Sequence, residues 1–325
     1  MRILVDAFGG DNAPLEILKA SIKAEKELGV DIVLVGDTAK MYEVAHENSL
    51  DIDNMMTVHT DDIFDIHAQA SSILKEGKNS SLAIGLQELK ENTGDAFVSA
   101  GSSGGLVAGT LFIIGRIPGI KRIAMSPTLP TIKNRCLLAD AGANIECKPE
   151  YIYQFGLMGS AYMQAVKGLD KPRIGLLNIG VEETKGRDLE KEAYKLLSNS
   201  SLNFIGNIEA RDIPFGVVDA VICDGYSGNI ALKMLEGMGS VFIGEMKKWF
   251  KDSSSIDKEI LSQVMGFKEQ FDYKEEGGAI LLGANKPVIK AHGNSDERSF
   301  FNAIKQAKLC VEKDMINNIK NIKLN

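Results

Sequence analysis

"FVSAGSSGGLVAG", residues 97–109, decides how the rest of the chain is read. An apolar run suited to a buried strand breaks into glycine and serine, and an apolar, helix-like stretch follows at once. The stretch reads as a strand, a tight loop and a helix N-terminus. "DAFGGDNAP" at 6–14, "NIGVEETKGRD" at 178–188 and "CDGYSGN" at 223–229 have the same build, each an apolar strand that ends in glycine and leads toward a helix.

Between these junctions, short apolar runs alternate with amphipathic segments, the pattern of crossover connections on a largely parallel sheet. Strands are expected near 2–7, 31–36, 55–59, 96–101, 173–180, 203–208 and 219–224, with helices between them. "TLPTIKNRCLLADAG" differs: two extended runs flank Lys133-Asn134-Arg135, which predicts an antiparallel hairpin added to the sheet. No repeat or low-complexity linker divides the 325 residues, so 1–325 is read as a single α/β unit. "GEMKKWFKDSSSIDKEILSQVMGFKEQF" changes character and predicts a projecting helical hairpin at about 240–275, its two helices meeting at Asp252 to Ser255. Two uses stand for its apolar stripe: packing on its own core or at a subunit contact, or touching a membrane surface with help from Lys247, Lys248 and Lys251.

Bulk composition excludes several classes. With 44% apolar and 25% charged residues, the chain reads as an ordinary globular protein, and no apolar run is long enough to span a bilayer. The start "MRILVDAFGG" lacks the apolar core of a signal peptide, so the chain is expected inside the cell. A net charge of −7 argues against nucleic-acid binding. Cys136, Cys147, Cys223 and Cys310 lack metal-binding or disulfide spacing and read as packing residues.

In an open α/β sheet the strands' carboxyl ends gather at one edge, where ligands bind, so the four junctions are expected to share one pocket. Glycine there lets the backbone approach a ligand closely, and the next helix offers unpaired N–H groups, an arrangement suited to an anion. The candidate phosphate-binding residues are Asp6, Gly9, Gly10 and Asn12; Gly101, Ser102, Ser103 and Gly104; Gly180; and Gly225, Ser227 and Gly228. No lysine follows Gly101–Gly105 in the manner of a Walker loop, and "DAFGGDNAP" lacks the dinucleotide spacing. The anion is therefore expected to be a small phosphate rather than a nucleotide, and nothing in these motifs calls for a metal or an organic cofactor.

Lys185 can set a positive charge against phosphate or a developing oxyanion; the other reading is a surface lysine paired with Glu182. Asn229 either caps the helix it enters or donates to a substrate carbonyl oxygen, and Asp224 can do the capping in its place. His292, the histidine at a glycine junction, reads equally as a general acid or base and as a hydrogen-bonded structural residue.

"VDAFGGDNAP", "FVSAGSSGGLVAGTLFIIGRIPGIKRIAMSPTLPT", "ADAGANIECKPEYIYQFGLMGSAYM", "LLNIGVEETKGRDLEKEAYKLL", "FIGNIEARDIPFGVVDAVICDGYSGNIALKMLEG" and "YKEEGGAILLGANKPVIKAHGNSDERSFFNAI" together resemble, in order, the phosphate acyltransferases of bacterial phospholipid synthesis, the PlsX family. The resemblance covers nearly the whole chain and is weakest over 40–70 and 240–270. It implies a three-layer α/β/α Rossmann-like fold akin to isocitrate dehydrogenases and phosphotransacetylases, and a homodimer. It implies transfer of a fatty acyl group from acyl carrier protein to inorganic phosphate, by a soluble enzyme that visits the inner face of the membrane through its hairpin. Lys185 and Asn229 match positions taken as catalytic in that family. Ser102-Ser103-Gly104 replaces the usual Asn-Thr-Gly, and Arg122-Ile123-Ala124 the usual Arg-Pro-Ala. An acidic carrier would need basic residues at the mouth of an apolar trough, with Arg116, Lys121, Arg122 and the lysines near 247–251 as candidates. A dehydrogenase of related fold and a non-catalytic scaffold for carrier protein or membrane are the competing readings.

Overall fold

The computed structural model describes residues 1–252, 266 and 273–322. The strands are β1 (Arg2–Asp6), β2 (Asp31–Gly36), β3 (Met56–His59), β4 (Ala96–Ser99), β5 (Ala124–Pro130), β6 (Arg135–Ala139), β7 (Ile174–Leu177), β8 (Phe204–Ile208), β9 (Ala220–Ile222), β10 (Gly278–Leu282) and β11 (Val288–Ala291). They form one sheet in the order β3-β2-β1-β4-β11-β10-β5-β6-β9-β7-β8. Runs such as Ile3-Leu4-Val5 and Ile32-Val33-Leu34-Val35 are buried, as expected for strands covered on both faces.

The helices are α1 (Leu15–Leu28), α2 (Thr38–Glu47), α3 (Ser81–Lys90), α4 (Ser103–Gly109), α5 (Pro149–Ala165), α6 (Asp188–Ser198), α7 (Gly225–Asp252), α8 (Glu297–Glu312) and α9 (Met315–Lys320). Local chemistry sets their ends. Asp37 caps α2 through Lys40 N–H, Asp296 caps α8 through Ser299 N–H, and α1 stops at Gly29 with φ 64°. The largest core cluster joins Ile17 and Leu18 of α1, Phe155 and Met158 of α5, and Phe300 and Ile304 of α8. Smaller clusters cover the opposite face, one containing Leu82 and Leu86 of α3, the other Leu232 of α7. The result is the expected three-layer α/β/α arrangement.

All seven expected strands form, several of them shorter because their final residues already belong to the glycine loops. The hairpin at 133–135 is the antiparallel pair β5–β6. A second antiparallel hairpin, β10–β11, was not foreseen as a pair, and β10 also runs antiparallel to β5. These reversals correct the expected single edge: β1, β4 and β11 run one way while β6, β9 and β7 run the other. The junctions therefore come as two pairs, one on each half of the sheet. β5 joins the halves, pairing with β10 through Ala124–Pro127 and with β6 through Thr128–Pro130.

The expected hairpin also needs correction at its start. Its first arm is the end of one continuous 28-residue helix, α7, that begins at Gly225. The second arm, with Ile256, Ile260, Leu261, Val264, Met265 and Phe267, lies outside the described residues. Among the described residues, no helix is long and apolar enough to cross a membrane.

Candidate active site

On the first half of the sheet, Asp6 ends β1 fully buried. Its carboxylate accepts from Ser81 Oγ at 2.6 Å, Ser99 Oγ at 2.7 Å and the Phe8 N–H at 3.3 Å. Burial pushes its pKa up, and these donors pull against that shift. With both oxygens occupied, Asp6 shapes the Gly9-Gly10 turn, and as a carboxylate it is a poor direct ligand for an anion. Gly10 has φ 104°, and a Cβ there would lie 2.8 Å from the Gly293 carbonyl oxygen, so both conformation and contact require glycine. Asn12 Nδ2 donates to the carbonyls of Asn294 and Ser295, and the Asp11 N–H to that of Gly293. The first junction is thereby joined to the β11–α8 loop that carries His292.

Gly101 lies against Ser99 and Asp6, and its N–H donates to Ser99 Oγ at 3.0 Å. Ser102 Oγ accepts the Gly105 N–H at 3.3 Å and so caps α4, which leaves its O–H free to donate. Ser103 and Gly104 are exposed at the start of that helix. Asp6, Gly9, Gly10 and Gly101 line a cleft of about 360 Å³ with Phe8, Phe64 and Leu82.

On the second half, Asp224 ends the run of β9 and accepts the Ser227 N–H at 2.7 Å, so it caps α7 and Asn229 does not. Asn229 is exposed, with Gly142 beside its Cβ. Gly228 sits hard against the Asp140 carbonyl, leaving no room for a side chain. The Asp140 carboxylate is buried and receives the N–H groups of Met125, Ala143 and Asn144 together with Asn144 Nδ2. Burial nevertheless raises its pKa to about 6. Gly225 N–H donates to the Asn144 carbonyl at 2.7 Å, joining the α7 start to the same loop.

Lys185 lies on the loop after β7. Asn178 Nδ2 donates to its carbonyl at 3.1 Å, and the buried Gly180 leaves room for the Lys185 stem, which a Cβ would meet at 3.1 Å. The side chain is exposed and makes no ion pair among the described residues, so the pairing with Glu182 does not form. Their link is between backbones, from Lys185 N–H to the Glu182 carbonyl. Arg187, two residues on, is paired with both Glu190 and the buried Asp224.

The halves meet along α7. Lys233, Glu236 and Ser240 of that helix line a cleft of about 530 Å³ with Asp11, His292, Gly293 and Asn294. His292 Nε2 lies 3.8 Å from Glu236 Oε1, and burial lowers its pKa, so the ring is largely neutral near pH 7. Lys233, Lys290, Arg187 and Asp140 were not singled out by sequence. The signals available were a lysine inside the apolar run "VIKA" and an aspartate closing the apolar run "CLLAD".

The cysteines are free; Cys136, Cys223 and Cys310 are buried, and burial raises the Cys223 thiol well above its ordinary range, which suits packing and not nucleophilic attack. Asp37, His59 and Asp61 bring ligand atoms within 4.8 Å of one another. Asp37 is committed there to Lys40 and to the α2 cap, and His59 Nε2 lies 3.3 Å from Asp61.

Residues 1–318 match the family described as "Fatty acid synthesis protein". The chain is 45% identical over 323 residues to a phosphate acyltransferase of Thermoanaerobacterium thermosaccharolyticum, covering 98% of this chain and 96% of that one. It is 43% identical over 316 residues to a phosphate acyltransferase of Oceanobacillus iheyensis, covering 96% and 94%. In fold it is similar to a phosphotransacetylase from Streptococcus pyogenes, with TM-score 0.66, 18% identity and coverage of 98% and 94%. It is similar too to the EutD phosphotransacetylase from Staphylococcus aureus, with TM-score 0.65, 18% identity and coverage of 95% and 94%. The relatives decide between the readings left open by sequence, favouring acyl transfer over a dehydrogenase or a scaffold. The chain belongs to the fatty acid synthesis protein family, among the phosphate acyltransferases, and is an acyltransferase that uses phosphate.

Proposed function

We propose that the enzyme transfers a fatty acyl group from acyl carrier protein to inorganic phosphate, releasing an acyl phosphate for phospholipid synthesis. One observation carries this reading: the loop that presents Lys185 and the helix start that presents Asn229 also present unburied apolar side chains. Ile179 is 80% exposed and Val181 60% on the first, Tyr226 58% and Ile230 54% on the second. Polar groups for phosphate and an apolar surface for a hydrocarbon chain thus adjoin.

In the reaction, a phosphate oxygen attacks the thioester carbonyl carbon, the new C–O bond forms and the C–S bond breaks. Lys185 and N–H groups of the glycine loops hold phosphate and offset the repulsion between it and the charge growing on the carbonyl oxygen. Asn229 donates to that oxygen, a contribution of roughly 3–4 kcal/mol for one well-placed donor. The departing pantetheine thiol has an ordinary pKa of about 8.5, so it leaves as thiolate and takes its proton from water. His292, neutral and beside Glu236, is not needed as an acid. Asp6 and Asn12 act by shaping and joining the loops, and Ser103 and Gly104 offer donors at the α4 start.

Carrier docking is assigned to a groove of about 520 Å³ lined by Phe112, Ile117, Ile120, Arg116 and Arg122, where cations border an apolar floor. Arg122 also lies 5.2 Å from the Tyr151 ring centre, which steadies it at the rim. Homodimerisation and contact with the membrane through the end of α7, where Val241, Phe242 and Trp249 are exposed, belong to the same reading.

The test supplies long-chain acyl carrier protein and phosphate, removes unreacted thioester and traps acyl phosphate with hydroxylamine. Hydroxamate that requires both substrates supports the proposal. Thiol release without phosphate dependence contradicts it.

A further inference from the structure

Lys290 is a buried lysine on β11, and no carboxylate pairs with it among the described residues. Its Cα is in register with Ser99 on β4, and the β1–β4 register places Asp6 next in the same row. Asp6 is already engaged by Ser81 and Ser99. Lys290 Nζ instead donates to the carbonyl of Ala100, at 3.3 Å, and to that of Ala291. Ala100 immediately precedes Gly101, and Ala291 immediately precedes His292 and Gly293. A Cβ on Gly10 would lie 2.9 Å from Ala100 Cβ and 2.8 Å from the Gly293 oxygen, so the three loops touch around this ammonium.

Burying an ammonium is costly, and a hydrophobic side chain of similar volume would make a more stable core. Two carbonyls orient the group but leave its net charge uncancelled. Charged and titratable groups around it come from several elements: Asp6 on β1, Asp11 on the following loop, Lys233 on α7 and His292.

We propose that Lys290 is the positioning cation of the phosphate subsite: it holds the three glycine loops together and supplies the positive potential that draws phosphate to their N–H groups. This rests on the reading of the enzyme as a transferase to inorganic phosphate. Lys290 needs no contact with the reacting atoms, because potential in a crevice with low-dielectric walls acts over several ångströms.

The test measures acyl phosphate formation against phosphate concentration, at saturating acyl carrier protein, for the native enzyme, Lys290→Met and Lys290→Gln. A folded variant is expected to keep its KM for acyl carrier protein while its KM for phosphate rises about tenfold or more. An unchanged phosphate KM in a folded variant overturns the inference. So does a loss confined to Tm and kcat, which marks a purely structural strut. Calorimetric titration of native enzyme and folded variant with inorganic phosphate alone reads the same contrast without turnover. If the native enzyme makes no acyl phosphate but binds phosphate more tightly than the variant does, the functional reading fails and the assignment of Lys290 stands; equal binding by the two overturns it.

Discussion

Arg187 pairs with Asp224, a carboxylate 2% exposed that also caps α7 through Ser227, so the loop carrying Lys185 is tied to the helix start carrying Asn229. Two residues on separate crossovers are thereby held in one spatial relationship by a single guanidinium. Arg187→Met should lower stability by about 1–2 kcal/mol, the buried carboxylate losing a partner whose outer side is exposed and screened. It should lower kcat by more than that loss alone accounts for. Arg187→Lys should recover the Tm better than the rate, because a point charge cannot serve both Glu190 and Asp224 as a planar fork does. Thermal melts with parallel turnover measurements check this, and a normal rate in Arg187→Met would remove the tie from the mechanism.

Gly228→Ala tests the packing of α7 on the second half of the sheet. Any Cβ at 228 collides with the Asp140 backbone, which cannot swing aside as a flexible side chain would. A loss of about 1–3 kcal/mol is expected, as for overpacking elsewhere, with displacement of the neighbouring Asn229 and a clear fall in kcat. A variant with native Tm and native rate would show that the helix start is not held as described.

The fold was legible because the strand-to-glycine pattern is local. Residues 97–109 and their three counterparts each place apolar run, turn and helix start within a dozen positions, and each forms in the structure. The sense of the strands was not legible. It depends on β10, which departs from β11 through a short turn and inserts beside β5, a pairing across some 150 positions that no local pattern encodes. The site divides in the same way. Lys185 stands in a turn and Asn229 at a helix start, both in glycine-rich stretches where polar residues are conspicuous. Arg187, Asp140 and Lys290 matter through burial and through partners distant in sequence, such as Lys290 with Ala100. The cap of α7 was legible only as a choice between Asn229 and Asp224; a carboxylate immediately ahead of a helix start is a local signal, and it is Asp224 that takes the Ser227 N–H.

Asp140 makes a pH dependence that can be isolated. Its folded pKa, about 6, lies above the usual carboxylate value of 3.8, so the native state holds this proton more tightly than the unfolded chain does. Its stabilising contribution is complete below about pH 4 and is lost as pH rises through about 6, a change on the order of 3 kcal/mol. Asp140→Asn lacks that slope. Denaturant unfolding at pH 4 and pH 7 should show the variant's deficit shrinking at the higher pH, and a constant deficit would contradict the assignment.

Reversing charge at the proposed docking groove should affect encounter rather than chemistry. Arg116→Glu together with Arg122→Glu is expected to raise the KM for acyl carrier protein and to flatten its salt dependence, with kcat near native. An unaltered KM would place the carrier elsewhere.

The most direct measurement is a crystal structure of the enzyme with inorganic phosphate. The anion is expected within hydrogen-bond reach of Lys185 Nζ and of glycine-loop N–H groups, with Asn229 facing the same space. Phosphate seated away from these loops, with Lys185 and Asn229 pointing into separate solvent, would contradict it.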